Sequence, residues 1–93
     1  MELLDEGTVD AAVAAGLGWR REGKELVKVW SGKDFAASLA YVNAVGALAE
    51  EANHHPDIDI RWGQVTLRLS THSAGGLTQA DIDLARRVDS LGG

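Results

Sequence analysis

The chain has 93 residues, 45% of them apolar and 25% charged, and carries a formal net charge of −5. That is one domain's worth of ordinary globular composition, with no room for a second core and without the polar excess of a disordered chain. Lysine and arginine alternate with acids and form no basic stripe, which argues against direct nucleic-acid binding. The lack of cysteine excludes disulfides and thiolate zinc sites.

No apolar run approaches membrane-spanning length. The acidic start, Glu2-Leu3-Leu4-Asp5-Glu6, lacks the basic and apolar regions of a secretory leader. The expectation is a soluble, cytoplasmic protein.

Residues 5–15 read as a short helix. Val9, Ala12 and Val13 give it one apolar face, and Gly16 and Gly18 end it. A hairpin follows, with Trp19-Arg20-Arg21 as one arm, a turn at Glu22-Gly23-Lys24, and the β-branched and aromatic run from Glu25 to Trp30 as the other.

Residues 32–52 read as the main helix. Ser31 and Asp34 have capping-box spacing, and Trp30 and Phe35 occupy the positions of a hydrophobic staple. Phe35, Leu39, Val42, Val45 or Gly46, and Ala49 recur as a stripe expected to pack on a sheet. Pro56 pushes His55 out of the helical region, so the helix stops near Asn53, a residue suited to a left-handed terminus.

Two alternating segments follow, Asp57 to Trp62 and Val65 to Thr71, with Gly63-Gln64 as the turn between them. A period of two gives each a buried and a wet face. Ser73-Ala74-Gly75-Gly76 reads as a loop. The last helix begins at Thr78, where Thr78 and Asp81 form a second capping box and Leu77 and Ile82 its staple. Ile82, Ala85, Val88 and Leu91 are assigned to the core.

The predicted fold is α+β, in the order α-β-β-α-β-β-α: a four-stranded antiparallel sheet with helices packed on one face, forming one domain over residues 1–93. A core this small makes self-association reasonable.

The histidines His54, His55 and His72 all fall between residues 54 and 72. In an antiparallel pair the start of one arm lies beside the end of the other. His54-His55-Pro56 and Thr71-His72 are therefore expected to meet around one cleft. Imidazoles titrate near neutral pH and can give and take protons on a small molecule.

The ordered set Glu50, Asn53-His54-His55-Pro56, Trp62, Ser70-Thr71-His72 and Gly76-Leu77-Thr78-Gln79-Ala80-Asp81 resembles the pattern of the pterin-4a-carbinolamine dehydratases. The match is densest over residues 50–81, and the flanking hairpin and helices extend it over most of the chain. Asn53 stands where the family often has Asp, and Trp62 where it often has Tyr.

The resemblance implies a lyase that removes water from 4a-hydroxytetrahydropterin to give quinonoid dihydropterin, in the recycling of a cofactor used by aromatic amino-acid hydroxylases. It implies no cofactor and no metal in that step. His54, His55 and His72 are the expected catalytic residues. Glu50, Asn53, Pro56, Trp62, Ser70, Thr71, Ser73 and Asp81 are the expected substrate contacts. A homodimer or homotetramer is implied, with no nucleic-acid or membrane partner.

Plainer readings stand beside these. His54 and His55 can cap a helix C-terminus, where cationic side chains suit the dipole. Glu50 is either an i, i+4 partner of His54 or a solvated acid. Asp81 has a capping role in any case, and Trp62 suits a core or pocket wall. A non-catalytic assembly module on the same scaffold is the alternative function, since relatives include a dimerisation cofactor of a transcription factor and assembly chaperones of a carbon-fixing enzyme. A small metal-binding protein is a third.

Overall fold

In a computed structural model, which describes residues 2–92, three helices lie against one face of a four-stranded antiparallel sheet. The elements are α1 (Glu6–Ala14), β1 (Arg20–Glu22), β2 (Glu25–Ser31), α2 (Phe35–Ala52), β3 (Asp57–Arg61), β4 (Gln64–Leu69) and α3 (Gln79–Asp89). A 3-10 turn, His72–Ala74, sits between β4 and α3. The sheet order is β1-β2-β4-β3, so the two strands nearest the histidines, β3 and β4, are paired and β3 is an edge. The predicted architecture and element order are those observed.

The core forms where the alternating residues of β2 and β4 meet the helices. Leu26, Val65, Leu67 and Leu69 are fully enclosed, with Val45 and Ala49 of α2 and Ile82, Leu84, Ala85 and Val88 of α3 against them. Truncating any one of these leucines to alanine would cost about 2–5 kcal/mol through lost transfer energy and the cavity left behind.

Helix starts are set by side-chain caps. Asp5 accepts from the Thr8 N–H at 2.7 Å, and this bond holds the Asp5 carboxyl below its usual range. In α2 the cap is Asp34, accepting from the Ala37 N–H at 2.9 Å. The expected Ser31–Asp34 box does not form, because Ser31 is still paired in β2 opposite Gln64.

The predicted stripe of α2 is half right. Val45 and Ala49 are buried, but Phe35 and Leu39 are 48% and 42% exposed, and the sheet is met by Ser38 and Tyr41 instead. Ser38 donates to the Trp62 carbonyl at 2.5 Å and Tyr41 stacks on Trp30 with ring centroids 4.4 Å apart. These contacts rotate the helix away from the stripe that hydrophobicity alone selects. Leu91, assigned to the core, lies exposed past the end of α3.

The β3–β4 turn is one residue earlier than expected, at Trp62-Gly63. Gly63 is required there, since a Cβ would stand 2.9 Å from the Gly32 carbonyl oxygen. No helix among the described residues is long and apolar enough to cross a membrane.

Candidate active site

The α2 helix ends on Asn53 in the left-handed conformation, φ 49° and ψ 43°, with its N–H turned back to Glu50 O. The next residues leave the helix as extended chain, as Pro56 dictates for His55. Asp57 of β3 pairs with Arg68 of β4, and this register, carried past the strand ends, sets His55 level with Ser70 and His54 level with Thr71.

His54 Nε2 lies 2.5 Å from Asp81 Oδ1. The ring is 14% exposed and the carboxylate is fully enclosed. The other carboxylate oxygen, Oδ2, accepts from the Thr71 hydroxyl at 2.7 Å and from the Thr78 N–H at 2.9 Å. A buried carboxylate with this many donors has its hydrogen-bonding capacity filled. An ionised carboxylate can only accept, so the hydrogen of the histidine contact belongs to Nε2 and Nδ1 is the lone-pair nitrogen of the neutral ring.

Helix exit and strand end do converge. Asp81 holds His54 from one side and Thr71 from the other, and the Cα of His72 follows Thr71 by about 3.8 Å. The segment that carries His72 is a tight loop. Thr71 and Gly76 are bridged, Thr71 N–H donating to Gly76 O at 2.8 Å, and Gly75 takes a positive φ of 78°. His72 therefore lies on the 3-10 turn and not at the end of β4 as expected. Its ring is exposed and has no carboxylate partner among the described residues.

His55 is paired differently. Its Nε2 lies 2.5 Å from Glu50 Oε2, with the two side chains 55% and 79% exposed. Of the two readings of Glu50, the pair with His54 does not form, and the side chain is largely solvated. The helix ends two residues too early for an i, i+4 pair, and the turn at Asn53 brings round His55 instead.

The remaining expected contacts divide. Asn53, Ser70 and Ser73 stay at or near the surface beside the histidines, and Pro56 is half-buried between His55 and β3. Thr71 and Asp81 are buried and their side-chain oxygens are taken by each other, His54 and Thr78, so neither presents a free group to a ligand. The Ala74 N–H is taken by Thr71 O at 3.0 Å. Trp62 is 70% exposed at the β3–β4 turn, with φ 51°. It stands at the opposite end of the hairpin from His54 and His55, and at about 3.3 Å per strand residue it cannot share their site within one chain.

Four surface hollows of about 210 to 480 Å³ have none of the three histidines in their linings. The expected cleft is therefore not among them. With His55 and His72 exposed, the histidine cluster opens directly to solvent. Among the described residues no group of three His, Asp or Glu side chains is placed to hold a metal ion.

The partner of His54 was the residue that sequence reading placed least well. Asp81 lies 27 positions away, and only the docking of α3 against the end of β4 brings it to the ring. The available signal was Asp81 itself, the acid of the second capping box.

The model of the family described as Pterin 4 alpha carbinolamine dehydratase matches residues 2–91. A protein of Nocardia farcinica, provisionally named a pterin-4-alpha-carbinolamine dehydratase, is 50% identical over 97% of this chain and 95% of its own length. One from Thermomicrobium roseum with the same provisional name is 47% identical over 98% of both. Among solved structures, a transcriptional coactivator/pterin dehydratase from Brucella melitensis superposes with a TM-score of 0.91 at 28% identity, covering 99% of this chain and all of that one. A pterin dehydratase-like protein described as a RuBisCO assembly factor in the alpha-carboxysome has a TM-score of 0.68 at 33% identity, over 82% of this chain and 90% of its own.

Proposed function

This chain belongs to the pterin-4a-carbinolamine dehydratase family, and we propose that it acts as a 4a-hydroxytetrahydropterin dehydratase through histidine acid–base catalysis. The observation that carries the reading is the His54–Asp81 pair, whose carboxylate also binds the residue next to His72.

The reaction breaks the C4a–O bond of the substrate. A proton must reach the departing hydroxyl, and the N5 proton must leave as the C4a–N5 double bond forms. His54 and His72 carry the two transfers. His54, with Asp81 holding Nε2–H, offers Nδ1 as the base. His72, on the solvent-facing loop, protonates the leaving hydroxyl. His55 assists in binding. A positioned acid or base of this kind contributes about 10² to 10⁴ in rate. Asp81 serves by orienting His54 and not by touching the pterin.

The expected homo-oligomer and cytoplasmic location belong to the same proposal. The outer face of α2 ahead of Glu50 is uncharged, and with Phe35 and Leu39 in water it supports self-association. A non-catalytic assembly role is the rival, favoured by the likeness to the RuBisCO assembly factor. Three histidines, two of them paired with carboxylates, weigh against a pure scaffold, which has no use for them.

The test is a stopped-flow assay with 4a-hydroxytetrahydropterin. Dehydration well above the buffer rate supports the lyase. A rate equal to buffer at micromolar protein removes it.

A further inference from the structure

We infer that Thr71 is a positioning residue for His54, acting through Asp81, and that Thr78 completes the clamp. The kinetic part rests on the dehydratase reading; the structural part does not.

The hydrogen bonds around Asp81 run in one direction. Asp81 N–H, at the third position of α3, donates to the Thr78 hydroxyl as half of the capping box. The Thr71 and Thr78 hydroxyl oxygens are 2.8 Å apart, and Thr71 Oγ1 is 2.7 Å from Asp81 Oδ2. A hydroxyl has one hydrogen. Thr71 gives its own to the carboxylate, so the hydrogen between the two threonines comes from Thr78. The result is a closed ring: Asp81 N–H to Thr78, Thr78 to Thr71, Thr71 back to Asp81 Oδ2. All three residues are buried, so water does not compete.

A carboxylate turns easily about its last torsion, which is broad and two-fold. Within the helix cap alone, the Thr78 N–H can be met by either oxygen. The Thr71 hydroxyl comes from outside α3, two residues past the end of β4 at the cap of the 3-10 turn, and fixes Oδ2 from there. Oδ1 is then committed to His54 Nε2. Thr71 thus holds in place the carboxylate that fixes the tautomer and direction of His54, an imidazole that Thr71 does not touch. This replaces its expected role as a substrate contact.

The test compares Thr71→Val, which exchanges the hydroxyl for a methyl at nearly constant volume, with Thr71→Ser, which restores it. Two readouts are taken: kcat against KM, and the ¹⁵N shifts of His54 without substrate. Outer-shell partners of this kind typically carry about 10- to 100-fold in activity. Thr71→Val is expected to lower kcat about tenfold with KM within about twofold, and to convert His54 from the Nε2–H form to a mixture of tautomers. Thr71→Ser is expected to recover most of both. Should Thr71→Val fail to fold by thermal melt, Thr71→Ala, which cannot clash, takes its place. Unchanged His54 shifts in a folded hydroxyl-less variant overturn the inference, as does a raised KM at constant kcat, which would make Thr71 a substrate contact. If the parent shows no dehydratase activity while the shifts still move, the function fails and the clamp stands.

Discussion

His54 and Asp81 are 27 residues apart in the chain and 2.5 Å apart in the fold, the ring at the exit of α2 and the carboxylate inside the first turn of α3. The carboxylate is fully enclosed, so the pair is shielded from solvent on the acid's side and open on the imidazole's. One residue therefore serves two ends. It caps α3 through Thr78 and it fixes the ring that faces the candidate site.

Replacing Asp81 separates these roles. Asp81→Asn keeps a hydrogen-bonding side chain at the cap but offers His54 a donor as readily as an acceptor, which frees the tautomer. We expect kcat to fall by about 10²-fold with a modest loss of stability, about 1 kcal/mol. Asp81→Ala strands the buried Thr71 hydroxyl and should cost about 1–3 kcal/mol more. Steady-state kinetics and urea unfolding on both variants check this.

Glu50 and His55 make the contrasting pair. Both are largely in water, where ion pairs contribute about 0–1 kcal/mol. Glu50→Gln should leave the unfolding midpoint nearly unchanged, and His55→Ala should affect KM more than kcat. A kcat loss for His55→Ala equal to that for His54→Ala would show that the exposed histidine carries a proton transfer.

A second buried charge ties the middle of β2 to the C-terminal end of α3. Lys28 Nζ meets Asp89 Oδ1 at 2.8 Å, and Asp89 also accepts from Trp19 Nε1 at 3.0 Å and the Gly18 N–H at 2.7 Å. Removing the acid leaves a lysine that is 9% exposed without its countercharge. Asp89→Ala should destabilise by about 3 kcal/mol, and adding Lys28→Met should recover part of it. Thermal or urea unfolding of the single and double variants measures the coupling.

The single tyrosine, Tyr41, gives a clean pH signal. Burial, with the nearby Asp89 charge, pushes its hydroxyl up to about 12. The unfolded chain releases this proton near 10 while the folded one keeps it, so the unfolded state binds fewer protons between those values and stability falls as pH rises through them. Absorbance at the tyrosinate band should titrate near 12 in the folded protein. The Tyr41 hydroxyl has no partner among the described residues, so Tyr41→Phe should be neutral or slightly stabilising. A transition near 10 with the fold intact would contradict the burial argument.

The fold was legible because its signals are local. Alternation in residues 65–69, the cap at Thr78 and Asp81, and the stop at Asn53-Pro56 each act over a few residues. The site was legible only where sheet register carries neighbours together, as with His54 and Thr71. What needed the third dimension was hidden. The rotation of α2 depends on Ser38 meeting a carbonyl 24 residues away, the partner of His54 depends on α3 docking, and Trp62 was misplaced because a shared motif does not fix distance along a hairpin.

The most direct measurement is single-turnover dehydration of 4a-hydroxytetrahydropterin by the parent, His54→Ala and His72→Ala at saturating enzyme. Each variant should slow the chemical step by about 10²-fold or more while its circular dichroism and melt match the parent. Parent-like rates in both folded variants would contradict the assignment of the proton transfers to these two imidazoles.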